Sequence, residues 1–198
     1  GTGLAFSHKY NETNNVCITY FGDGAANQGQ VYESYNIASL WKLPVIFVIE
    51  NNKYGMGTSV NRSSAGENLS DRGNAYGIKS EIVDGMDVIA VRDSAIRAMD
   101  YCRSGKGPYI LEMKTYRYRG HSMSDPAKYR TRDEVEKIRK NSDPIENIKE
   151  LLAKNGFNED EIKNIDSEIK VVIADAAKFA QESPEPSVEE LYTDIIVN

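Results

Sequence analysis

The first half of the chain alternates between strand and helix patterns. Residues 16–21 form a short β-rich run that stops at Gly22, and residues 45–49 form a continuous apolar run after Pro44. Between them, four apolar residues recur at the spacing of one helix face: Val31, Tyr35, Ala38 and Trp41. A continuous apolar run is typical of a strand buried on both faces, so the pattern predicts a strand-helix-strand unit with parallel strands.

A second unit of the same kind follows. We predict a strand at residues 88–91, a helix from about Asp93 and a strand at residues 109–113. Three apolar residues of this helix are expected to face inward: Ile96, Met99 and Cys102. Two such units predict an α/β fold with an open, mostly parallel sheet flanked by helices.

The pattern changes after Thr115. Residues 116–126 are rich in arginine, tyrosine and small polar residues without a period, which predicts an ordered or switchable surface loop. Helices are then expected from Asp133, from Asp143-Pro144, and from Asn158 or Asn164 to Glu182, before the prolines of residues 183–186 break the chain. We therefore expect one domain, residues 1–198, with a core at 1–115, an active-site loop at 116–132 and a helical extension at 133–198.

Composition narrows the class of protein. With 198 residues, 40% hydrophobic and 27% charged, the chain is typical of one globular domain. It has no apolar run of the roughly 20 residues that a membrane span needs, and its two cysteines, Cys17 and Cys102, show no metal-ligand or disulfide spacing. We expect a soluble intracellular protein with no membrane contact.

The charge is uneven along the chain. Residues 133–198 hold 17 of the 30 acidic residues but only 8 of the 24 basic ones. These acids alternate with lysines and apolar residues at helical spacing, which is typical of a solvated helix face. Nucleic acid is not an expected partner.

Candidate chemistry lies where two predicted strands end. Gly22-Asp23-Gly24 follows the first strand and Glu50-Asn51-Asn52 the second, and in open α/β sheets ligands bind at the carboxyl ends of strands. The Asp23 carboxylate and the Asn52 amide oxygen are hard ligands that suit magnesium together with phosphate oxygens. The glycines let a phosphate approach the backbone, and the amides of Gly24 and Ala25 can donate to it.

Other interpretations apply to each turn alone. Both Gly-Asp-Gly and Asn-Asn occur in ordinary loops, so neither turn alone indicates a ligand site. The two turns are separated by one helix and one strand, and this spacing makes a shared site the better interpretation. The absence of the P-loop and dinucleotide-binding glycine patterns from the sequence argues against those two classes.

Four longer segments resemble the alpha subunits of the pyruvate dehydrogenase E1 component, in the thiamine diphosphate-dependent 2-oxo acid dehydrogenase family. They are GDGAANQGQ at residues 22–30 with LWKLP at 40–44, ENNKYGMGTS at 50–59, and YRYRGHSMSDP at 116–126. The resemblance covers essentially the whole chain. It implies the thiamine diphosphate-binding fold.

The resemblance also implies roles for individual residues. Asp23, the Asn52 side chain and the backbone carbonyl of Tyr54 would bind Mg²⁺, and Gly24 and Ala25 would contact the diphosphate. His121 would belong to a loop that closes over the active site and would be a catalytic and cofactor-binding residue. A surface histidine without a role is the competing interpretation. Ser59 and Ser122 match regulatory serines of some family members, whereas Lys128 lies near the position of a third.

The implied activity is thiamine diphosphate-dependent oxidative decarboxylation of pyruvate with acetyl transfer to the lipoyl group of E2, the dihydrolipoyl acetyltransferase. The implied assembly is an alpha2beta2 heterotetramer with an E1 beta subunit. The chain starts at Gly1 within a predicted helix, so we expect an N-terminally truncated fragment that is inactive alone. A bacterial cytoplasm is the expected location, with a mitochondrial matrix as the alternative.

Three alternatives stay open at this point. A branched-chain or acetoin-type E1 alpha subunit would share the metal motif. The chain could also be a non-catalytic assembly module, or belong to an unrelated α/β enzyme that binds metal and phosphate.

Overall fold

The computed structural model describes residues 1–195, so the last three residues of the predicted helical extension lie outside the described residues. The chain divides into two compact units, residues 1–148 and 149–198. Within the described part, no helix combines the length and the apolar character needed to cross a bilayer.

A four-stranded sheet forms the centre of the first unit. Its strands are β1 (Cys17–Gly22), β2 (Val45–Asn51), β5 (Lys79–Asp84) and β6 (Tyr109–Lys114), in the spatial order β1-β2-β6-β5. All three pairings are parallel, and Gly22 lies opposite Glu50 in the register of β1 with β2. The predicted open parallel α/β sheet is therefore confirmed, and the carboxyl ends of β1 and β2 lie side by side.

Helices cover both faces of this sheet. On one face, α1 (Thr2–Tyr10) and α2 (Gly29–Leu40) join a buried cluster with Phe47 and Ile49 of β2. On the other face, α4 (Val88–Arg103) packs in a cluster with Ile46 and Val48. Successive side chains of β2 point to opposite faces, which explains why residues 45–49 are apolar without interruption. Their predicted burial on both faces is confirmed.

Two predictions for the second strand-helix-strand unit were wrong: residues 88–91 are not a strand, and the helix begins at Val88 rather than at about Asp93. Residues 88–91 are helical, because the Asp87 carboxylate accepts hydrogen bonds from the backbone N–H groups of Ile89 (2.8 Å) and Ala90 (3.1 Å) and so caps the helix N-terminus. The strand before this helix is β5, which ends at Asp84. The β-branched residues at 88–91 resemble a strand, but the cap determines the structure.

The inward faces of two helices also differ from prediction. In α4 the buried residues are Ser94, Ala98 and Cys102, whereas Ile96 is 45% exposed. Trp41 follows the last residue of α2 and is 48% exposed. Tyr35 and Ala38 are buried as predicted.

Short elements follow the carboxyl end of β2. Strands β3 (Tyr54–Gly55) and β4 (Thr58–Ser59) form a small antiparallel hairpin, and α3 (Val60–Ser63) comes next. A 3₁₀ segment, Ser70–Tyr76, then leads to β5, and another, Ala25–Asn27, lies between β1 and α2.

The C-terminal part is helical, as predicted. Helices α5 (Arg132–Ser142), α6 (Pro144–Lys154) and α7 (Glu159–Glu182) are followed by a 3₁₀ segment at Val188–Tyr192. Asn158 is the cap of α7, where its side chain and that of Glu161 form a capping box. Of the two predicted starts for this helix, Asn158 is therefore the correct one.

The cap of α4 provides a test of the fold. We expect Asp87→Ala to lower the free energy of unfolding by about 1 kcal/mol, because two N–H groups lose their acceptor. Asp93→Ala on the same helix is the control. Asp93 pairs with the neighbouring, exposed Arg92, so its removal should change the free energy by less than about 0.5 kcal/mol. Urea unfolding measures both variants, and equal effects would contradict this role of Asp87.

Candidate metal and diphosphate site

Two turns meet at the carboxyl edge of the sheet. We call residues 22–25, after β1, the first turn, and residues 50–55, at the end of β2, the second turn. A Cβ atom added to Gly55 would lie 3.1 Å from the Cα of Gly24 and 3.7 Å from Oδ2 of Asp23. Backbone therefore lies almost against backbone here, and the close approach depends on the missing side chain of Gly55. A Cβ on Gly24 would lie 3.4 Å from the Gly55 Cα, which is an ordinary contact.

Asp23 is buried at this junction. Its residue surface is 3% exposed, and its Oδ2 atom has no hydrogen-bond partner among the described residues. Burial raises the pKa of the Asp23 carboxyl, while the backbone N–H groups of Asp23 and Asn52 and the charge on Arg117 act in the opposite direction. A buried carboxylate oxygen without a partner is costly unless a cation or donor satisfies it. The atom therefore fits a bound metal ion.

Asn52 and Tyr54 supply neutral oxygens beside Asp23. The Oδ1 atom of Asn52 accepts a hydrogen bond from the backbone N–H of Tyr54 at 3.3 Å, which fixes the amide within the second turn. The Tyr54 carbonyl accepts one from Nη1 of Arg117 at 3.1 Å, and a carbonyl oxygen has a second lone pair. Carboxylate, amide and carbonyl oxygens are the ligand types that suit Mg²⁺.

This donor set contains a single carboxylate. Within residues 1–195 no group of three or more histidine, cysteine, aspartate or glutamate side chains is arranged to hold a metal. A metal at the two turns would thus keep open positions for phosphate oxygens or water. Mg²⁺ commonly binds proteins through one or two carboxylates plus substrate phosphates.

The backbone of the second turn and its hairpin is strained. Lys53 and Met56 have φ angles of +74° and +55°, which side-chain-bearing residues rarely adopt. Such conformations persist only where the surroundings enforce them, and they cluster at functional sites.

Gly24 and Ala25 are exposed at the first turn, where the 3₁₀ segment begins at Ala25. The leading N–H groups of a helical segment have no partner within it, so these amides can donate to an anion. Arg72 contacts the residue that follows the first turn: its Nη1 donates to the Ala26 carbonyl at 2.9 Å and to the Tyr32 hydroxyl at 3.0 Å.

The predicted loop folds against the hairpin of the second turn. From its N-terminal end, Arg117 donates through Nη1 to the Tyr54 carbonyl, and through Nη2 to the Met56 carbonyl (2.7 Å) and the Tyr129 hydroxyl (2.8 Å). Arg130 donates to the Arg117 and Arg119 carbonyls. Arg117 therefore links the loop directly to the candidate metal site.

His121 lies at an exposed turn of this loop. Its backbone N–H donates to Oδ2 of Asp125 at 2.7 Å, and Asp125 also accepts from the Ala127 N–H and the Tyr129 hydroxyl, both at 2.8 Å. These three donors lower the pKa of Asp125. In the described part of the chain the His121 ring makes no hydrogen bond, so the structure orders its backbone without joining its imidazole to the two turns.

Three residues of the site were missed in the sequence. Arg72 gave no signal, because its partners are distant in sequence. Arg117 is one of several arginines in the loop at residues 116–132, so the sequence does not single it out. Glu112 did give a signal: it is a charged residue within the otherwise apolar strand Tyr109–Met113, and in the structure it is fully buried.

The fold and the site together define an open parallel α/β domain with a polar ligand site at its carboxyl edge. Residues 1–189 match the family model described as "Dehydrogenase E1 component". The chain belongs to the dehydrogenase E1 component family.

Named relatives agree with this assignment. The chain is 62% identical over 198 residues to the pyruvate dehydrogenase E1 component subunit alpha of Rhizobium meliloti. The matched region covers 100% of this chain and 57% of that protein. It is 57% identical to the same subunit of Zymomonas mobilis, over 100% of this chain and 56% of that one. It is 53% identical to the mitochondrial subunit of Sminthopsis macroura, and the matched region covers 96% of this chain and 53% of that protein. The chain thus spans about half the length of the relatives it matches.

The contact between the turns predicts the effect of a single methyl group. We expect Gly55→Ala to lower the free energy of unfolding by about 1 to 3 kcal/mol, because its Cβ would press on the Gly24 backbone. Gly29→Ala is the matched control. A Cβ there meets nothing within 4 Å at the start of α2, so no loss is expected. Urea unfolding compares the two, and a harmless Gly55→Ala would contradict the close approach.

The buried Asp23 carboxylate predicts a gain in stability on its removal. Because the folded-state pKa is raised, ionisation of Asp23 destabilises the fold as pH rises from its ordinary pKa, about 3.9, through the folded value. Asp23→Asn should therefore be more stable than the unchanged chain in magnesium-free buffer at neutral pH. The difference should shrink as the pH falls and Asp23 becomes protonated. Thermal unfolding across a pH series tests this, and lower stability of the variant at neutral pH would refute it.

Proposed function

We propose that this chain is part of an E1 alpha subunit and anchors thiamine diphosphate through Mg²⁺ at the two turns. Asp23 Oδ2, the Asn52 side chain and the Tyr54 carbonyl would bind the metal, and the Gly24 and Ala25 amides would donate to the diphosphate. The complete enzyme would catalyse oxidative decarboxylation of pyruvate and transfer the acetyl group to the lipoyl group of E2.

One observation carries this proposal. The Asp23 Oδ2 atom is buried and has no protein partner within the described residues, at the point where Gly24 and Gly55 bring the two turns together. An ordinary strand-to-helix turn gives no reason to bury an unpaired carboxylate oxygen. A metal ion that also binds diphosphate oxygens gives one.

The cofactor, when bound, supplies the electron sink for decarboxylation of a 2-oxo acid. The residues of this chain would hold it. Asp23 and the second turn would hold the metal and thereby the diphosphate, and so would restrict the orientation of the cofactor. Mg²⁺ would serve as a template here rather than as a Lewis acid in bond breaking.

The loop at residues 116–132 would close this site. Arg117 already joins it to the Tyr54 carbonyl, next to the proposed metal position. His121 would act from the loop on the cofactor or the transferred acyl group, since imidazole can donate or accept a proton near neutral pH. A closing movement that brings the His121 ring inward is part of this proposal.

The proposed assembly is an alpha2beta2 heterotetramer with an E1 beta subunit, which works with the E2 dihydrolipoyl acetyltransferase. The named relatives include two bacterial proteins and a mitochondrial one. For this chain we propose a bacterial cytoplasm, with a mitochondrial matrix as the alternative.

Reconstitution tests the function. The complete alpha subunit, co-expressed with its beta subunit, should decarboxylate pyruvate only when both Mg²⁺ and thiamine diphosphate are present. Asp23→Ala should reduce the rate at least about 100-fold, because the diphosphate loses its metal anchor. Arg103→Ala, on the far end of α4, is the control and should keep the rate. Retained activity of the Asp23 variant would refute the site.

The same preparation separates the remaining alternatives. A rate on branched-chain 2-oxo acids above that on pyruvate would identify a branched-chain E1 instead. Failure of the complete alpha and beta pair to act on any 2-oxo acid, with intact assembly, would favour a non-catalytic module.

A further inference from the structure

Glu112 is a charged residue at the centre of the fold. It lies on β6, the strand between β2 and β5, and its surface is 0% exposed. A buried carboxylate destabilises a protein unless partners compensate for the lost hydration, and an apolar residue usually serves packing better. Its presence therefore calls for a role that packing does not supply.

Three donors surround this carboxylate. Oε1 accepts from Nδ2 of Asn51 at 2.7 Å and pairs with Nζ of Lys114 at 2.6 Å, while Oε2 accepts from the backbone N–H of Ser70 at 2.8 Å. Burial raises the pKa of Glu112, but the three partners outweigh it and the net shift is downward. The group is thus an ionised acceptor, matched to donors only.

Asn51 connects Glu112 to the second turn through the two ends of its side-chain amide. Its Nδ2 is held by Glu112, and its Oδ1 accepts from the backbone N–H of Lys53 at 3.2 Å. Lys53 is the residue with a φ of +74° between Asn52 and Tyr54. The Asn51 amide therefore holds the backbone at Lys53, between the two residues that would supply the neutral metal ligands.

Ser70 connects Glu112 to the 3₁₀ segment that contacts the end of the first turn. It begins the 3₁₀ segment Ser70–Tyr76, and Arg72 of that segment donates to the Ala26 carbonyl at 2.9 Å. Through two of its hydrogen bonds, Glu112 thus connects to the supports of both turns.

We propose that Glu112 is a positioning residue, whose buried carboxylate holds Asn51 and so sets the second turn in the geometry that binds the metal. This inference rests on the proposed function of the two turns. Glu112 itself does not touch the metal or the cofactor.

Glu112→Gln tests the inference with almost no change in size. In the place of Oε1 the NH₂ group of a carboxamide would face the donors of Asn51 and Lys114, and in the place of Oε2 it would face the Ser70 N–H, so at least one contact becomes repulsive. In the complete alpha and beta assembly with saturating thiamine diphosphate, calorimetric titration should show Mg²⁺ affinity weakened by about 10- to 100-fold, as for other residues that orient metal ligands.

Leu111→Val is the matched control. It alters the adjacent residue of the same strand, which packs in the cluster on the α4 side of the sheet. This variant should lower the melting temperature and leave the Mg²⁺ affinity within about twofold of the original, because successive strand side chains point to opposite faces of the sheet and Leu111 makes none of the contacts of Glu112. A loss of affinity equal to that of Glu112→Gln would show general destabilisation and overturn the inference.

Asn51→Ala provides a second route that leaves Glu112 paired with Ser70 and Lys114. It should weaken Mg²⁺ binding to a similar extent, and the double variant should be no weaker than either single one, because both act through one contact. Additive losses, or unchanged affinity of either single variant, would overturn the inference. If the unmodified assembly binds no Mg²⁺ with thiamine diphosphate, the proposed function itself fails, which is a distinct result.

Discussion

The close approach of two glycine-containing turns is the constraint on which the site depends. Parallel pairing of β1 with β2 puts Gly22 opposite Glu50, so the chain leaves both strands at the same height on the sheet edge. The absence of a side chain at Gly55 then allows its backbone to lie close to that of Gly24, and Asp23 is buried at this junction. Burial raises the pKa of its carboxyl, and within residues 1–195 its Oδ2 atom has no hydrogen-bond partner. The proposed cation would satisfy this oxygen, and the proposed diphosphate would supply further oxygen ligands to that cation.

The surroundings of the turns preserve this arrangement from three sides. Glu112 fixes Asn51 from within the sheet, Arg72 fixes the Ala26 carbonyl from the 3₁₀ segment, and Arg117 fixes the Tyr54 carbonyl from the loop. Each of these three residues makes its hydrogen bond to a backbone carbonyl or a side-chain amide. The proposed ligand atoms are thus held by residues outside the proposed ligand set. This division is common at metal sites, where outer residues set the orientation of the ligands.

Much of the fold could be predicted from the sequence, because apolar runs and helix caps are local signals. The buried run at residues 45–49, the helix with Tyr35 and Ala38, and the cap at Asn158 were all recognised in this way. Residues 88–91 were misjudged, since their β-branched side chains suggest a strand and the capping role of Asp87 depends on a single side chain. The proximity of Asp23 to Asn52 was predicted from the order of elements alone. Arg72 and Arg117 were not predicted, because their contacts join residues 40 and more positions apart.

The position of the metal is the central claim, and anomalous diffraction tests it most directly. Mn²⁺ accepts the same oxygen ligands as Mg²⁺ and gives an anomalous signal that locates it. Crystals of the complete alpha and beta assembly, grown with Mn²⁺ and thiamine diphosphate, should show one strong peak per alpha subunit. The account predicts that this peak is bonded to Asp23 Oδ2, Asn52 Oδ1 and the Tyr54 carbonyl oxygen. A peak bonded to other residues, with none at the two turns, would contradict it.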